Sequence, residues 1–165
     1  MGRLPLMSHR GASRLLLIPS LFFSALALIV VAALARADSD PWTKQQTMQP
    51  ADLAKELENS TSAPTVVFVG FKRLYTAGHI KGAQYHGTAG SEEGLKEFSA
   101  WAASLPRTTN LVVYCGCCPM EKCPNIRPAF KTLQSLGFQK IRVLLLPNDF
   151  ATDWAGKGLP YDKGN

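Results

Sequence analysis

The sequence predicts an α/β fold, a small parallel sheet with helices on both faces. Apolar runs rich in valine, isoleucine and leucine recur at 65–71, 111–115 and 141–146, as is typical of strands buried on both faces. Segments with apolar residues at helical spacing lie between these runs. The 128 residues from Asp38 to the end suffice for one hydrophobic core and not for two.

The predicted elements alternate along the chain. In order they are a helix from Pro50, a strand over 65–71, a helix over 91–104, a strand over 111–115, a helix over 127–138 and a strand over 141–146. Pro106 stops the second helix, and Gly137 is the C-terminal signal of the third. This alternation predicts parallel strands joined by helices that cover both faces.

The N-terminal segment is typical of a secretory signal peptide. Three arginines precede an uncharged run over 15–35, and Ala35-Arg36-Ala37 has small residues at the two positions that a signal peptidase reads. We predict a signal peptide at 1–37. The run is also long enough to span a bilayer, so an anchor formed by residues 15–35 is the alternative. In both cases we expect the rest of the chain to be exported, to the periplasm or another extracytoplasmic space.

The net charge of +6 depends on this segment. Residues 1–37 hold four of the 18 basic residues and none of the 12 acidic ones, so the remainder carries a net charge of +2. The remainder shows no basic stripe with interleaved aromatic residues, and we expect no nucleic-acid partner. We predict a linker at 38–47 and one folded domain at 48–165, acting as a monomer.

All four cysteines lie in one stretch, which we call the cysteine loop (residues 115–125). They are Cys115, Cys117, Cys118 and Cys123. The loop follows the end of a buried strand, and ligands bind at the carboxyl ends of strands in open α/β sheets. Cys115 is the first residue after its strand and is the predicted nucleophile. Gly116 frees the backbone there, and amides ahead of the next helix can hold an anion and lower a thiol pKa.

Other interpretations of the loop remain open. Closely spaced cysteines in an exported protein are commonly disulfides, and either Cys117 or Cys118 can pair with Cys123. Four thiols can also hold zinc or copper(I), although the spacing C-x-C-C-x4-C is not the paired C-x2-C of zinc ribbons. We predict neither a metal nor a cofactor.

Four segments together resemble the rhodanese-like (sulfurtransferase) domain, over about Met48 to Tyr161. They are YTAGHIKGAQYHG at 75–87, LVVYC at 111–115, TLQSLGF at 132–138 and DWAGKGLPY at 153–161. The resemblance implies a small α/β sandwich. It also implies that Cys115 takes a sulfane sulfur from thiosulfate or a similar donor, forming a persulfide that passes its outer sulfur to a thiol or another thiophilic acceptor.

The resemblance implies substrate binding by Gly116, Cys117 and Cys118, with Lys122 or Arg127 as the cation that binds the anionic donor. The loop departs from the family pattern, because its first arginine, Arg127, comes twelve positions after Cys115 instead of five. The family's aspartate and arginine on the preceding strand, and its glutamate a few residues later, fall here on Phe68, Gly70 and Leu74. This apolar replacement bears on donor preference more than on the fold.

The additional thiols suggest two alternative functions. Cys117, Cys118 or Cys123 can resolve a persulfide or disulfide on Cys115, which would make the chain a thiol-disulfide redox protein. The other alternative is a non-catalytic rhodanese-like module whose loop is disulfide-bridged or metal-bound. His79 is predicted to be a hydrogen-bonded structural residue and not an acid-base group.

Overall fold

The computed structural model describes residue 2, residues 40–59 and residues 61–164. The strands are β1 (Thr47–Met48), β2 (Thr65–Phe68), β3 (His79–Ile80), β4 (Gln84–Tyr85), β5 (Asn110–Tyr114), β6 (Lys140–Leu144) and β7 (Tyr161–Asp162). The α-helices are α1 (Pro50–Glu58), α2 (Lys72–Ala77), α3 (Glu92–Ala103), α4 (Ile126–Ser135) and α5 (Phe150–Asp153). The predicted signal peptide or anchor at 1–37 lies outside the described residues, apart from residue 2.

The main sheet has five strands in the order β1-β6-β5-β2-β4, and all its neighbouring pairs are parallel. A separate antiparallel pair joins β3 to β7. The three long strands are the three apolar runs, and β5 lies at the centre of the sheet. The predicted parallel α/β sheet is confirmed.

The sheet is covered on both faces because the apolar residues of each strand alternate between two cores. One core joins Val67, Leu111 and Val113 to α3 and α4, through residues such as Phe98 and Phe130. The second core joins Val66, Phe68, Val112 and Tyr114 to Leu53 of α1 and to Trp154. Strands buried on both faces therefore need continuous apolar runs, which is the pattern in the sequence.

Several short elements were not predicted. The strands β1, β3, β4 and β7 have two residues each, and α2 and α5 have six and four. Periodicity cannot be detected over such lengths, because two to six residues do not complete two turns of a helix or two repeats of a strand.

The described part of the predicted linker, residues 40–47, packs against the rest of the chain. Trp42 meets Phe130 of α4 edge to face at 5.5 Å, and Asp40 pairs with Arg127 at 2.6 Å. Thr47 and Met48 form the edge strand β1 beside β6. In the described part of the chain, no helix is long and apolar enough to cross a membrane.

Candidate active site

Cys115 lies at the carboxyl end of the central strand. It directly follows β5, whose neighbours β2 and β6 run parallel to it, so the ends of all three strands meet at one edge of the sheet. Cys115 is only 4% exposed and packs in the core on the α3 and α4 side. Tyr114, one residue earlier, points to the opposite core and accepts a hydrogen bond from the Ile80 amide through its hydroxyl.

Gly70 leaves the space that the Cys115 sulfur occupies. A Cβ atom at Gly70 would lie 3.0 Å from Cys115 Sγ and 2.6 Å from Cζ of the Phe68 ring. The position that carries arginine in the family pattern therefore has no room for a side chain here.

The cysteine loop gathers its thiols around Cys115. Cys115 Sγ donates a hydrogen bond to Cys117 Sγ at 3.1 Å, and Cys117 Sγ lies 3.2 Å from Cys118 Sγ. The sulfur atoms of Cys115, Cys117 and Cys123 all lie within 4.8 Å of one another. All four cysteines are free thiols, so the structure contains no bridge among them.

Asn125 is a site residue that the sequence analysis missed. It is 1% exposed, and its Nδ2 donates to Cys115 Sγ at 3.3 Å and to Cys117 Sγ at 3.6 Å. Its Oδ1 accepts the Gly90 amide at 2.9 Å, which fixes the orientation of the side-chain amide. Asn125 precedes α4 at the N-cap position, yet its side chain makes no cap bond. An asparagine at a helix start predicts a helix cap. The sequence carries no signal that its side chain instead donates hydrogen bonds to the cysteine sulfurs.

The thiols ionise as a coupled group because each hydrogen bond stabilises a thiolate on one partner at the expense of the other. The hydrogen bond from Cys115 lowers the pKa of Cys117 to about 5. The neighbouring thiols of Cys117 and Cys123, together with burial, raise the pKa of Cys115 well above its usual range. Burial and the bond to Cys117 raise the pKa of Cys118 to about 12. These interactions favour a thiolate on Cys117 while the proton stays on Cys115.

Cys123 lies beside the N-terminus of α4. The neighbouring Cys115 thiol lowers the pKa of Cys123 to about 7, and the backbone amides of Asn125 and Ile126 act in the same direction. Amides at a helix start point outward and favour negative charge. The sequence analysis predicted that amides ahead of this helix hold an anion. In the structure these amides lie next to the sulfur of Cys123.

The start of the cysteine loop has further backbone amides that can donate hydrogen bonds. Among the described residues, the amides of Gly116, Cys117 and Cys118 donate to no backbone carbonyl. Gly116 has a φ of +66°, and a Cβ there would lie 2.8 Å from Cβ of Phe150, so only glycine fits this turn. That these three amides hold an anion stays a prediction.

A cleft of about 440 Å³ opens next to the loop. Gly116 and Cys117 form one wall, and the aromatic residues Phe68, Phe150 and Tyr161 form much of the rest. Lys163 supplies a cation and Asp149 a carboxylate at its lining. Lys163 was not among the predicted site residues, because it follows the last recognisable segment of the chain.

Neither predicted cation lies at the cleft as the structure describes it. Lys122 is exposed in the 3-10 turn Met120–Lys122. Arg127 pairs with Asp40 at 2.6 Å and donates to the carbonyl oxygens of Met120 and Cys123 at 3.3 and 3.4 Å. Through these contacts Arg127 links the cysteine loop to the segment before β1.

His79 has the structural position that the sequence predicted. It is buried, its Nδ1 lies 2.8 Å from the Tyr75 carbonyl oxygen, and its ring stacks on Tyr75 with centroids 3.8 Å apart. The backbone of β3 pairs with β7, which ties the segment at 79–80 to that at 161–162.

No protein-family model matches the chain, and no curated protein matches it in sequence. Solved structures do share its fold. The Alr3790 protein from Anabaena sp. aligns with a TM-score of 0.55 at 22% identity, over 71% of this chain and 92% of that one. A solution structure of the rhodanese-like domain of Alr3790 aligns with a TM-score of 0.52 at 24% identity, over 72% and 79% of the two chains. The BH2092 protein from Bacillus halodurans aligns with a TM-score of 0.52 at 16% identity, over 84% and 86%.

The likeness to these structures shows that the chain has a rhodanese-like fold, as the four sequence segments predicted.

Proposed function

We propose that this chain, which has a rhodanese-like fold, is a sulfurtransferase that carries sulfur as a persulfide on Cys115. The observation that supports this best is the position of Cys115 directly after the central strand, with Asn125 donating to its sulfur at 3.3 Å. A buried sulfur at a strand end, faced by fixed donors, suits a step that leaves negative charge on sulfur.

Cys115 has to lose its proton before it attacks, and the neighbouring proton acceptor is the sulfur of Cys117. Cys115 already donates its proton towards Cys117 at 3.1 Å. As Cys117 takes this proton, the Cys115 sulfur attacks the sulfane sulfur of the donor. The S–S bond of the donor breaks, and in thiosulfate sulfite leaves with the electron pair. The anionic persulfide that remains is stabilised by Asn125 and by the loop amides. An acceptor thiolate then attacks the outer sulfur and releases Cys115 as a thiolate.

The donor and the acceptor reach the loop through the aromatic-lined cleft. Lys163 is the lining cation that would attract an anionic donor such as thiosulfate. A cleft of about 440 Å³ also has room for an acceptor larger than cyanide, such as a low-molecular-mass thiol. We infer from residues 1–37 alone that this reaction takes place in an exported protein, and the N-terminal sequence of the purified protein tests that inference directly.

The experiment is the intact mass of the full chain before and after incubation with thiosulfate, followed by peptide mapping. We expect a gain of one sulfur atom on the peptide that carries Cys115. The Cys115→Ser variant should gain none, whereas Cys118→Ser is the matched control that should gain sulfur normally, and Cys123→Ser should retain at least part of the gain. Full sulfur gain by Cys115→Ser would refute the assignment of the nucleophile, and no gain by the unaltered chain would refute sulfur transfer from thiosulfate.

A thiol-disulfide redox protein is the second candidate, and the 3.1 Å separation of the Cys115 and Cys117 sulfurs favours it. In that reaction, the Cys117 thiolate attacks a partner disulfide and Cys115 displaces the partner from the mixed disulfide. The chain loses two hydrogen atoms and the partner is reduced to its dithiol. Incubation with oxidised glutathione distinguishes the two functions, since this candidate predicts rapid loss of two hydrogen atoms and turnover in the absence of thiosulfate.

A further inference from the structure

The three sulfurs of Cys115, Cys117 and Cys123 form a compact set of donor atoms. They lie within 4.8 Å of one another, two of these residues are buried, and the set includes no histidine nitrogen or carboxylate oxygen among the described residues. Cys118 contacts Cys117 at 3.2 Å but lies outside this set. The donor atoms are therefore three sulfurs, and all three belong to the cysteine loop.

A small cavity beside these residues is lined by sulfur. Its lining includes Cys115, Cys118 and Cys123 together with the thioether residue Met120. Ile126, Leu144 and Leu146 make the rest of the wall largely apolar. The cavity volume is about 10 Å³, which is room for about one atom or ion of the size of a water molecule. Hard cations prefer oxygen ligands, and none of the side chains that line the cavity carries an oxygen atom.

We propose that Cys115, Cys117 and Cys123 bind one copper(I) ion in a three-coordinate thiolate site. Thiolate and thioether ligands select soft ions such as copper(I). A structural zinc site is almost always four-coordinate and tetrahedral, and it would need a fourth ligand that this set of three does not supply. The metal site goes beyond the proposed sulfur transfer and does not depend on it.

Hydrogen-bond donors around the sulfurs offset the negative charge of the complex. Three thiolates on one copper(I) carry a net charge of −2. Asn125 donates to Cys115 and Cys117, and the Gly90 amide holds Asn125 in that orientation. Such donors orient metal ligands and tune their basicity. Binding releases the thiol protons to solvent, with no change in oxidation state.

The site also has a consequence for sulfur transfer. The copper(I) ion and the persulfide both need the sulfur of Cys115, so the two states exclude each other. The copper-loaded chain is then unable to accept sulfur from a donor, and removal of copper restores the free thiol.

The test is an anaerobic titration of the reduced, metal-free full chain with copper(I), in competition with a chromogenic copper(I) chelator. We expect one equivalent to be withdrawn from the chelator, with thiolate-to-copper absorption in the ultraviolet. Cys117→Ser and Cys123→Ser should each lose this tight equivalent. Cys118→Ser should retain it, because the sulfur of Cys118 lines the cavity but lies outside the set of three sulfurs. Thermal unfolding of each variant establishes that it is folded.

Two outcomes would overturn the proposal. Zinc(II) binding in preference to copper(I), with loss in Cys118→Ser as well, would mean a four-thiolate zinc site. Weak binding that is equal in all the variants would mean adventitious copper only. The mass gain with thiosulfate is measured on separate metal-free samples, so a failure of the copper titration leaves the sulfurtransferase proposal standing, and the reverse also holds.

Discussion

The side-chain nitrogen of Asn125 lies 3.3 Å from the sulfur of Cys115 and donates a hydrogen bond to it. This contact joins the residue before α4 to the residue after β5, across ten positions of the chain. Because the Gly90 amide fixes the other end of the Asn125 side chain, the donor stays aimed at the sulfur. Gly90 itself allows this approach, since a Cβ there would lie 2.5 Å from Asn125 Oδ1. The contact therefore depends on three separate segments of the fold.

Replacement of Asn125 tests the role of this donor. Asn125→Asp keeps an oxygen for the Gly90 amide but puts a carboxylate beside the sulfurs. A hydrogen bond to a charged group contributes about 1.5–3 kcal/mol, so we expect the rate of sulfur transfer to fall roughly 10- to 100-fold. Steady-state kinetics measure the loss, and Asn59→Ala in the exposed end of α1 is the control. An Asn125→Asp variant with the kinetics of the unaltered chain would contradict the proposed donor role.

The pH dependence of thiol reactivity tests the coupled ionisation. Because the pKa of Cys117 is lowered to about 5, its thiolate is present above that pH and is lost as the pH falls through it. We expect the alkylation rate of Cys117 in the metal-free chain to stay nearly constant from pH 9 to about 6 and to drop below that.

Cys115→Ala should move this profile to higher pH, because it removes the hydrogen bond that lowers the pKa of Cys117 most. Cys118→Ala, which removes a smaller contribution, should move it less. Mass spectrometry of the alkylated peptide at each pH gives the rates. Equal profiles in all three chains would show that the sulfurs ionise independently.

Substitution of Gly70 tests the packing of the sulfur. In Gly70→Ala the new methyl group meets Cys115 Sγ at 3.0 Å and the Phe68 ring at 2.6 Å, so one of them must shift. Overpacking of this kind costs about 1–3 kcal/mol of unfolding free energy, and we expect sulfur transfer to be lost with it. Chemical denaturation and kinetics measure the two effects.

Gly137→Ala is a control for backbone strain alone. Gly137 has a φ of +83° and nothing near the site of its Cβ, so this variant should lose stability and keep its specific activity. If Gly70→Ala also kept full activity, the sulfur would have room to move without effect on the reaction.

A pair of lysine variants tests which cation meets the donor. Lys163 lines the cleft, whereas Lys122 lies on an exposed turn away from its lining. Lys163→Ala should raise the KM for thiosulfate roughly two- to fivefold, as suits an exposed ionic contact. Lys122→Ala removes the same charge and should leave KM unchanged. The opposite result would restore the role that the loop sequence predicted for Lys122.

The positions of the main elements could be predicted because their signals are local. The apolar runs at 65–71, 111–115 and 141–146 show strands buried on both faces, and they correspond to β2, β5 and β6 with ends shifted by at most three residues. The same reasoning placed Cys115 at the end of a strand. The two-residue strands could not be predicted, since a sequence of that length has no period.

The residues of the site also divide into those that local sequence predicts and those that only the structure reveals. Cys115, Gly116 and Cys117 could be identified from one stretch of sequence, because a concentration of cysteines after a buried strand is a local feature. Gly70, Gly90 and Asn125 could not, because each matters through one atom of a distant residue that packing brings within about 3 Å. The sequence by itself determined the fold class and the reactive loop. Only the tertiary structure decided which groups surround the sulfurs and which cation faces the cleft, because close packing places residues by shape and not by their order in the chain.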